Sequence, residues 1–253
     1  MAQDGMHDVE NVGDSGKRNR EFQSSFTRER LIHDLLPADR QQPLLLDIGG
    51  HMGESVRFLR RLFPTAVIHS FEPSPGAFAE LRLLEDQRTH CHNVAVTDLD
   101  GTIDFYGNAI SHTNSVYRVN TNSQDSLFLE QQRNRRAAIP EHTFNQPMQA
   151  RSVRLASFCA QHGIGHVDLL KLDVQGAERR VLDGAEQLLQ ATDNIVLEIM
   201  FFDYYEHQSS FLEIESVLYP AGFRLFSISD ISNNPMNGRT DWVEVIYRRT
   251  PQR

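Results

Sequence analysis

From residue 44 onward, short apolar runs alternate with amphipathic stretches. Residues 44–48 form an apolar run, and Val56, Leu59 and Phe63 then mark one face of a helix closed by Pro64. Residues 66–71 predict a second strand, 76–84 a second helix and 90–96 a third strand. The rhythm then changes, and 102–106 and 115–119 read as short strands or a hairpin. Residues 120–149, rich in Asn, Gln and Arg, fit no core template and read as a polar insertion or lid, with a helix near 127–138. Order resumes at 153–162, and 167–174 is a strongly apolar fourth strand. Ala177, Val181, Ala185, Leu188 and Leu189 give a helical stripe with a break near Gly184. Residues 195–200 predict a fifth strand, 211–218 a helix, and 223–228 with 242–247 two closing strands. The loop between those two contains an NNPM turn at 233–236. Upstream, Phe26, Leu31, Ile32, Leu35 and Leu36 predict a helix ended by Pro37, within an N-terminal helix and linker over 25–43. Residues 1–24 are polar and aperiodic, and read as a disordered tail. Strand–helix alternation of this kind predicts an α/β domain over 44–250, with a mostly parallel sheet and helices on both faces.

Composition narrows the function classes. A chain of 253 residues with 40% hydrophobic and 23% charged residues suits one generous globular domain. The formal charge of −9 argues against broad capture of nucleic acid or of an anionic membrane. Cys91 and Cys159 give neither a disulfide framework nor zinc-type spacing. No run has the length of a membrane span, and residues 1–20 lack the apolar core of a signal peptide. The expectation is a cytoplasmic protein with neither nucleic acid nor membrane as partner. The oligomeric state is not legible.

Four carboxylates, Asp47, Glu72, Asp173 and Glu198, fall at or near the ends of predicted strands. Ligands of such sheets bind beyond the carboxyl ends of the strands, and isolated buried charges are costly, so a shared rim points to a site. The turn after the first strand reads D-x-G-x-x-x-G, with Asp47, Gly49 and Gly53. A dinucleotide fingerprint starting at Gly49 fails twice, at His51 and Glu54, which disfavours a nicotinamide-dependent oxidoreductase. The pattern is the one usual where a nucleoside sulfonium methyl donor binds and no pyrophosphate has to be cradled. Glu72, one residue before Pro73, suits a free ribose diol and would repel a 2′-phosphate.

Residues 167–189, VDLLKLDVQGAERRVLDGAEQLL, resemble the segment I-D-L-L-K-I-D-V-E-G-A-E-x-x-V-L-x-G-A of FkbM-type methyltransferases. LLLDIGGHMG at 44–53, FEPSP at 71–75, NVAVTDLDG at 93–101 and IVLEI at 195–199 extend the resemblance over 44–199. It implies a class I Rossmann-like fold with a mostly parallel seven-stranded sheet, S-adenosylmethionine as cofactor, and transfer to a hydroxyl of a small molecule, either a natural product or a sugar or glycan. Carried over by position, Asp47, Gly49, Gly50, His51 and Gly53 would line the methionine end. Glu72 and Pro73 would hold the ribose, and Asn93 and Ala95 would lie beside the adenine. Asp173, Gly176 and Glu178 match the second signature near the transfer site. Two positions depart from the pattern: His51 stands where a small polar residue is common, and Gln175 replaces a glutamate. A protein that keeps the nucleoside site but has lost turnover, and acts through partners, is the alternative reading.

An alcohol is a poor nucleophile, so transfer to it needs a base or a metal to deal with its proton. Asp173 is the first candidate base or orienting carboxylate, with Glu198 beside it. His112 and His207 are the candidate histidine bases. Asp173 and Glu198 could together hold Mg²⁺ with water completing its shell, but two carboxylates are few for such a site, and no metal ligand is assigned. His90 and His92 share a strand face without a third ligand. Arg133, Arg135 and Arg136 would give the insertion a grip on an anionic or polyhydroxylated acceptor.

Overall fold

The computed structural model describes residues 15–123, 141–235 and 237–250. Seven strands form the main sheet: β1 (Leu44–Ile48), β2 (Val67–Phe71), β3 (Thr89–His92), β7 (Val167–Leu172), β8 (Thr192–Met200), β9 (Phe223–Asn233) and β10 (Thr240–Arg249). Their order is β3-β2-β1-β7-β8-β10-β9. Every pairing from β3 to β8 is parallel, and β10 runs antiparallel to both β8 and β9.

Alternation along the strands sorts the core into two layers. Leu45, Leu169, Val196 and Ile246 face helices α2 (Arg28–His33) and α3 (Glu54–Leu62). Leu46, Leu170, Ile195, Leu197 and Val245 face the helices Leu155–Gln161, Glu178–Ala185 and Phe211–Leu218. Both faces of the sheet are therefore covered, which the nearly unbroken apolar strands β1 and β7 require. The helix Phe211–Leu218 begins with a capping box, Ser210 bonding the Glu213 amide and Glu213 bonding back. The helical stripe from 177 does break, but after Ala185, where Glu186 takes φ 47°.

Elsewhere the structure departs from the sequence pattern. The expected third strand over 90–96 divides: β3 stays in the main sheet, while β4 (Ala95–Thr97) joins a separate three-stranded sheet, β4-β6-β5. The cause is Asn93, whose amide donates to the carbonyls of Glu72 (2.8 Å) and Pro73 (3.2 Å) and turns the chain away from β2. In that small sheet, β5 (Gly101–Gly107) pairs antiparallel with β6 (Gln146–Arg154). The expected insertion over 120–149 is thus ordered strand from Gln146. Residues 115–119 make only isolated bridges, Tyr106 with Ser115 and Val119 with Tyr205. β9 runs on to Asn233, through residues expected to form a loop, because β10 supplies its hydrogen-bond partners. Within the expected tail, Ser15–Ser25 is a fully exposed helix (α1), with Lys17 and Glu21 paired at i,i+4 and Phe22 stacked on Phe26. The helix expected near 127–138 and the arginines at 133, 135 and 136 lie outside the described residues.

Candidate active site

The carboxyl ends of β1, β2, β7 and β8 surround a cavity of about 780 Å³, within the usual range for small-ligand sites. The turn after β1 forms its floor. Gly49 adopts φ +88°, and a Cβ there would lie 1.9 Å from the carbonyl oxygen of Asp173. A Cβ on Gly50 would lie 2.1 Å from Ser70 Oγ. Both backbone amides, Gly49 and Gly50, donate to the Phe71 carbonyl at 3.0 and 2.9 Å. Only residues without side chains allow the turn to lie this close to β2 and β7.

Asp47 is fully buried beneath this turn and accepts hydrogen bonds from Ser55 Oγ and Ser70 Oγ, each at 2.7 Å, on one oxygen. Its other oxygen, Oδ1, accepts no hydrogen bond and faces the Lys171 ammonium at 3.6 Å. Lys171 also lies 3.4 Å from Asp173 Oδ2. Burial alone would lower the lysine's pKa, but the charges of Asp173, Asp47 and Glu244 reverse that and hold it raised. Burial likewise pushes the Asp173 carboxyl up, and Lys171 with the Gln175 amide (2.8 Å) outweighs it, leaving Asp173 below the usual carboxylate range. Its side chain is 41% exposed and opens into the cavity.

Glu72 ends β2. Its Oε2 accepts the His51 amide at 3.0 Å and its Oε1 the Ser74 amide at 2.7 Å. Burial pushes its carboxyl up to about 7, against the pull of those two amides, with Asp47 and Asp173 adding repulsion. The side chain of His51 meets Ser111 Oγ at 2.9 Å.

Of the residues expected from sequence, Gly49, Gly50, His51, Glu72, Pro73, Ala95, His112, Asp173 and Glu198 line the cavity. Four others stand behind or away from its wall. Asp47 lies beneath the turn. Gly53, at φ +89°, starts α3, where a Cβ would meet Leu84 Cδ1 at 2.3 Å. Asn93 spends its amide on the backbone of residues 72 and 73. His207, at φ 64°, is exposed and turned toward Tyr117, so proximity to β8 in sequence does not bring it to the rim. The structure adds Phe105, Val116, Phe202, Tyr204 and Trp242 to the lining. Trp242, Phe105 and Val116 fall within segments expected to be strands, whereas Phe202 and Tyr204 follow the fifth strand in a stretch with no clear periodicity.

Among the described residues, one group of three side chains has metal-ligand spacing: His166, Asp168 and Asp193. It lies at the amino end of β7, and Asp168 there already accepts from Arg40 and from the Leu44 amide (2.7 Å). No helix among the described residues is long and apolar enough to cross a membrane.

A doubly wound sheet of this order, with one reversed strand and a glycine turn facing an acidic second strand end, defines the class I methyltransferase architecture. The sequence profile of the methyltransferase FkbM domain matches residues 47–225. The chain is 30% identical over 187 residues to 2-O-methyltransferase NoeI of Sinorhizobium fredii (strain NBRC 101917 / NGR234), covering 73% of this chain and 74% of the relative. It is 26% identical over 229 residues to 31-O-demethyl-FK506 methyltransferase FkbM of Streptomyces tacrolimicus, covering 86% and 83%. Among solved structures, it is similar to magnesium protoporphyrin IX methyltransferase from Synechocystis PCC 6803 with bound SAM, at 10% identity, 93% and 81% coverage and a TM-score of 0.46. The chain belongs to the FkbM methyltransferase family, and it is a methyltransferase.

Proposed function

We propose that the protein is an S-adenosylmethionine-dependent O-methyltransferase acting on a hydroxyl of a small molecule, a natural product or a sugar. The observation that carries the cofactor reading is the state of Glu72. A carboxylate offers about four lone-pair sites. The His51 and Ser74 amides take one on each oxygen, which leaves one on each for the two donors of a ribose diol. The close glycine turn, where Gly49 and Gly50 leave bare backbone against the cavity, also fits a ligand end that lies along it. The names of both relatives specify an oxygen as the methylated position, which supports a hydroxyl acceptor.

Bound at this rim, the cofactor supplies an electrophilic methyl group on a sulfonium, and the protein supplies alignment and a dry wall. Phe71, Val94, Ala95, Val96 and Phe105 form an apolar slot next to Glu72 that suits a purine ring. Across Asp173, Met200, Phe202, Tyr204 and Trp242 give an apolar acceptor wall with Glu198 and Asn233 as polar points. Asp173, ionised beside Lys171 and open to the cavity, takes the hydroxyl proton on our reading. Asp173 would hold the proton from the acceptor's O–H bond, and a sulfonium held by Glu72 and the glycine turn would supply the methyl group that replaces it.

Isothermal titration with S-adenosylmethionine, S-adenosylhomocysteine and NAD tests the cofactor. Binding of the two sulfur nucleosides and not NAD is expected, and the reverse would reject the proposal. A screen of alcohols and sugars with labelled methyl donor, read by mass, tests the acceptor class. Label appearing on nitrogen or carbon only would overturn the O-methyl reading.

A further inference from the structure

We propose that Gln175 and Tyr205 are positioning residues that allow Asp173 to carry a proton, by exchanging partners along one hydrogen-bond chain. This rests on the reading of Asp173 given above. The chain runs from Asp173 Oδ1 to Gln175 Nε2 (2.8 Å), from Gln175 Oε1 to Tyr205 Oη (2.9 Å), and from Tyr205 Oη to the Thr113 carbonyl (2.9 Å). Tyr205 and Thr113 are each about 1% exposed. The Gln175 backbone is fixed independently, since its carbonyl accepts Ser115 Oγ at 2.7 Å.

A tyrosine hydroxyl has one hydrogen, and both the Gln175 oxygen and the Thr113 carbonyl are acceptors. Tyr205 therefore serves one of them at a time. While Asp173 is ionised, Gln175 must present its N–H to the carboxylate. Its oxygen then faces Tyr205, and the tyrosine hydrogen is drawn to it. The Thr113 carbonyl is not orphaned, because Asn108 Nδ2 donates to it at 2.8 Å.

Once Asp173 holds a proton, the opposite arrangement satisfies every group. The Asp173 O–H donates to the Gln175 oxygen, the Gln175 amide donates to Tyr205 Oη, and Tyr205 donates to Thr113. Only a half-turn of a nearly isosteric amide separates the two arrangements. The proton is the one released by the acceptor hydroxyl, and it leaves through the solvent-open side of Asp173. The groups facing Asp173 otherwise favour its ionised form or repel it: Lys171 on β7, Asp47 beyond it on β1, His51 on the glycine turn, Glu72 on β2, Glu178 on the following helix and Glu198 on β8. The relay supplies the protonated form with partners that those charges do not. A glutamate at 175 would lack the N–H for an ionised Asp173 and would place a second carboxylate beside it.

Asp173→Asn is the stable stand-in for the protonated state. Lys171 lies on the Oδ2 side, so the asparagine oxygen is held there and its NH2 meets Gln175, which must offer its oxygen. The full-length protein, alone and with S-adenosylhomocysteine, is followed by NMR at pH 7. The expected result is a cross-peak between the Gln175 side-chain NH2 and the Tyr205 ring protons that is absent in the wild type and present in Asp173→Asn. NH2 protons that stay directed at residue 173 in both proteins would overturn the relay. Should Asp173→Asn not fold, Lys171→Met lifts the Asp173 titration into the range of the folded protein. The Gln175 NH2 resonances must then move with the Asp173 carboxyl ¹³C signal, and a flat response overturns the proposal. Failure of S-adenosylhomocysteine to bind would count against the cofactor reading alone, since the relay is read in the free protein as well.

Discussion

Replacing Glu72 by Gln separates affinity from stability in a way that only a ribose-binding carboxylate permits. In the free protein, burial holds this carboxyl near 7. If the diol donates to the ionised form, the apparent affinity for S-adenosylhomocysteine rises with pH and levels off above 7. From pH 8 to pH 6 the ionised fraction falls from about nine-tenths to about one-tenth, a tenfold weakening or about 1.4 kcal/mol. Glu72→Gln retains the shape but loses the charge-assisted bonds, for an expected loss of about 1.5–3 kcal/mol at pH 8. Its affinity should also lose the slope between pH 6 and 8.

Stability moves the other way. An unfolded glutamate titrates near 4.5 and the folded one near 7, so the native state binds the extra proton between them. The free protein therefore loses stability as pH rises through that window, by about 3 kcal/mol in all. Glu72→Gln escapes this loss but leaves the His51 or the Ser74 amide facing an NH2, a cost of about 1–3 kcal/mol. The variant should thus unfold within about 2 kcal/mol of the wild type at pH 8 while binding far more weakly. Calorimetric titration across pH 5.5–8.5, paired with urea unfolding, provides both curves. A wild-type affinity that is flat between pH 6 and 8, or a glutamine variant that keeps the slope, would refute the assignment.

Gly49→Ala forces a Cβ onto the Asp173 carbonyl at a positive φ, and should cost about 3 kcal/mol, seen as a melting temperature lower by about 6–12 °C; an unchanged melt would mean the turn is not held against β7. His69 and His92 share a hydrogen bond at 3.1 Å, and burial, with the nearby His90 and His162 (and, for His69, His92), lowers both to about 4. The unfolded chain takes up these protons near 6.5, so stability is lost as pH falls from 6.5 to 4; His92→Phe should flatten the fall of the urea midpoint between pH 7 and 5, and an undiminished fall would place the acid sensitivity elsewhere. Asp168→Ala strips the half-exposed Arg40 and the Leu44 amide of their acceptor and should cost about 1–3 kcal/mol while leaving nucleoside affinity unchanged, because it lies at the far end of β7; a matching loss of affinity would show that the two ends of the sheet are coupled.

The parts of this protein that sequence disclosed are those set by local alternation. Leu45 and Leu46 go to opposite layers because strand side chains alternate, and the carboxylates stand out because each interrupts or ends an apolar run, although Asp47 and Glu72 are buried in the fold. The division of the third strand was not legible, because it depends on Asn93 reaching the carbonyls of residues 72 and 73. The extension of β9 was hidden for a similar reason: SISDIS is too polar to mark a strand, and its pairing partners on β10 are supplied from elsewhere in the chain. The chain through Gln175 joins residues 30 and 92 positions apart, a separation that no spacing rule covers. What sequence could show there was only the departure itself, an amide where the resembling motif has an acid.

That departure bears on how four like side chains at one rim come to differ. Asp47 is buried with two hydroxyl donors on one oxygen and an ammonium near the other, which suits it to holding the turn. Glu72 has half its lone pairs taken by backbone and half open, which suits it to holding a diol. Glu198 pairs across the sheet with Glu244, which Arg28 engages at 2.7 Å, so charge compensation reaches that strand from the N-terminal helix. Asp173 alone combines an open face, a cation and an amide whose two ends are interchangeable as hydrogen-bond partners. A carboxylate fixed only by Lys171 would hold its charge too firmly to accept a proton, and one without it would not be reliably ionised. Setting a fixed charge against an amide that can reverse is what lets one group serve in both states, and it explains why the neutral side chain at 175 belongs beside this lysine.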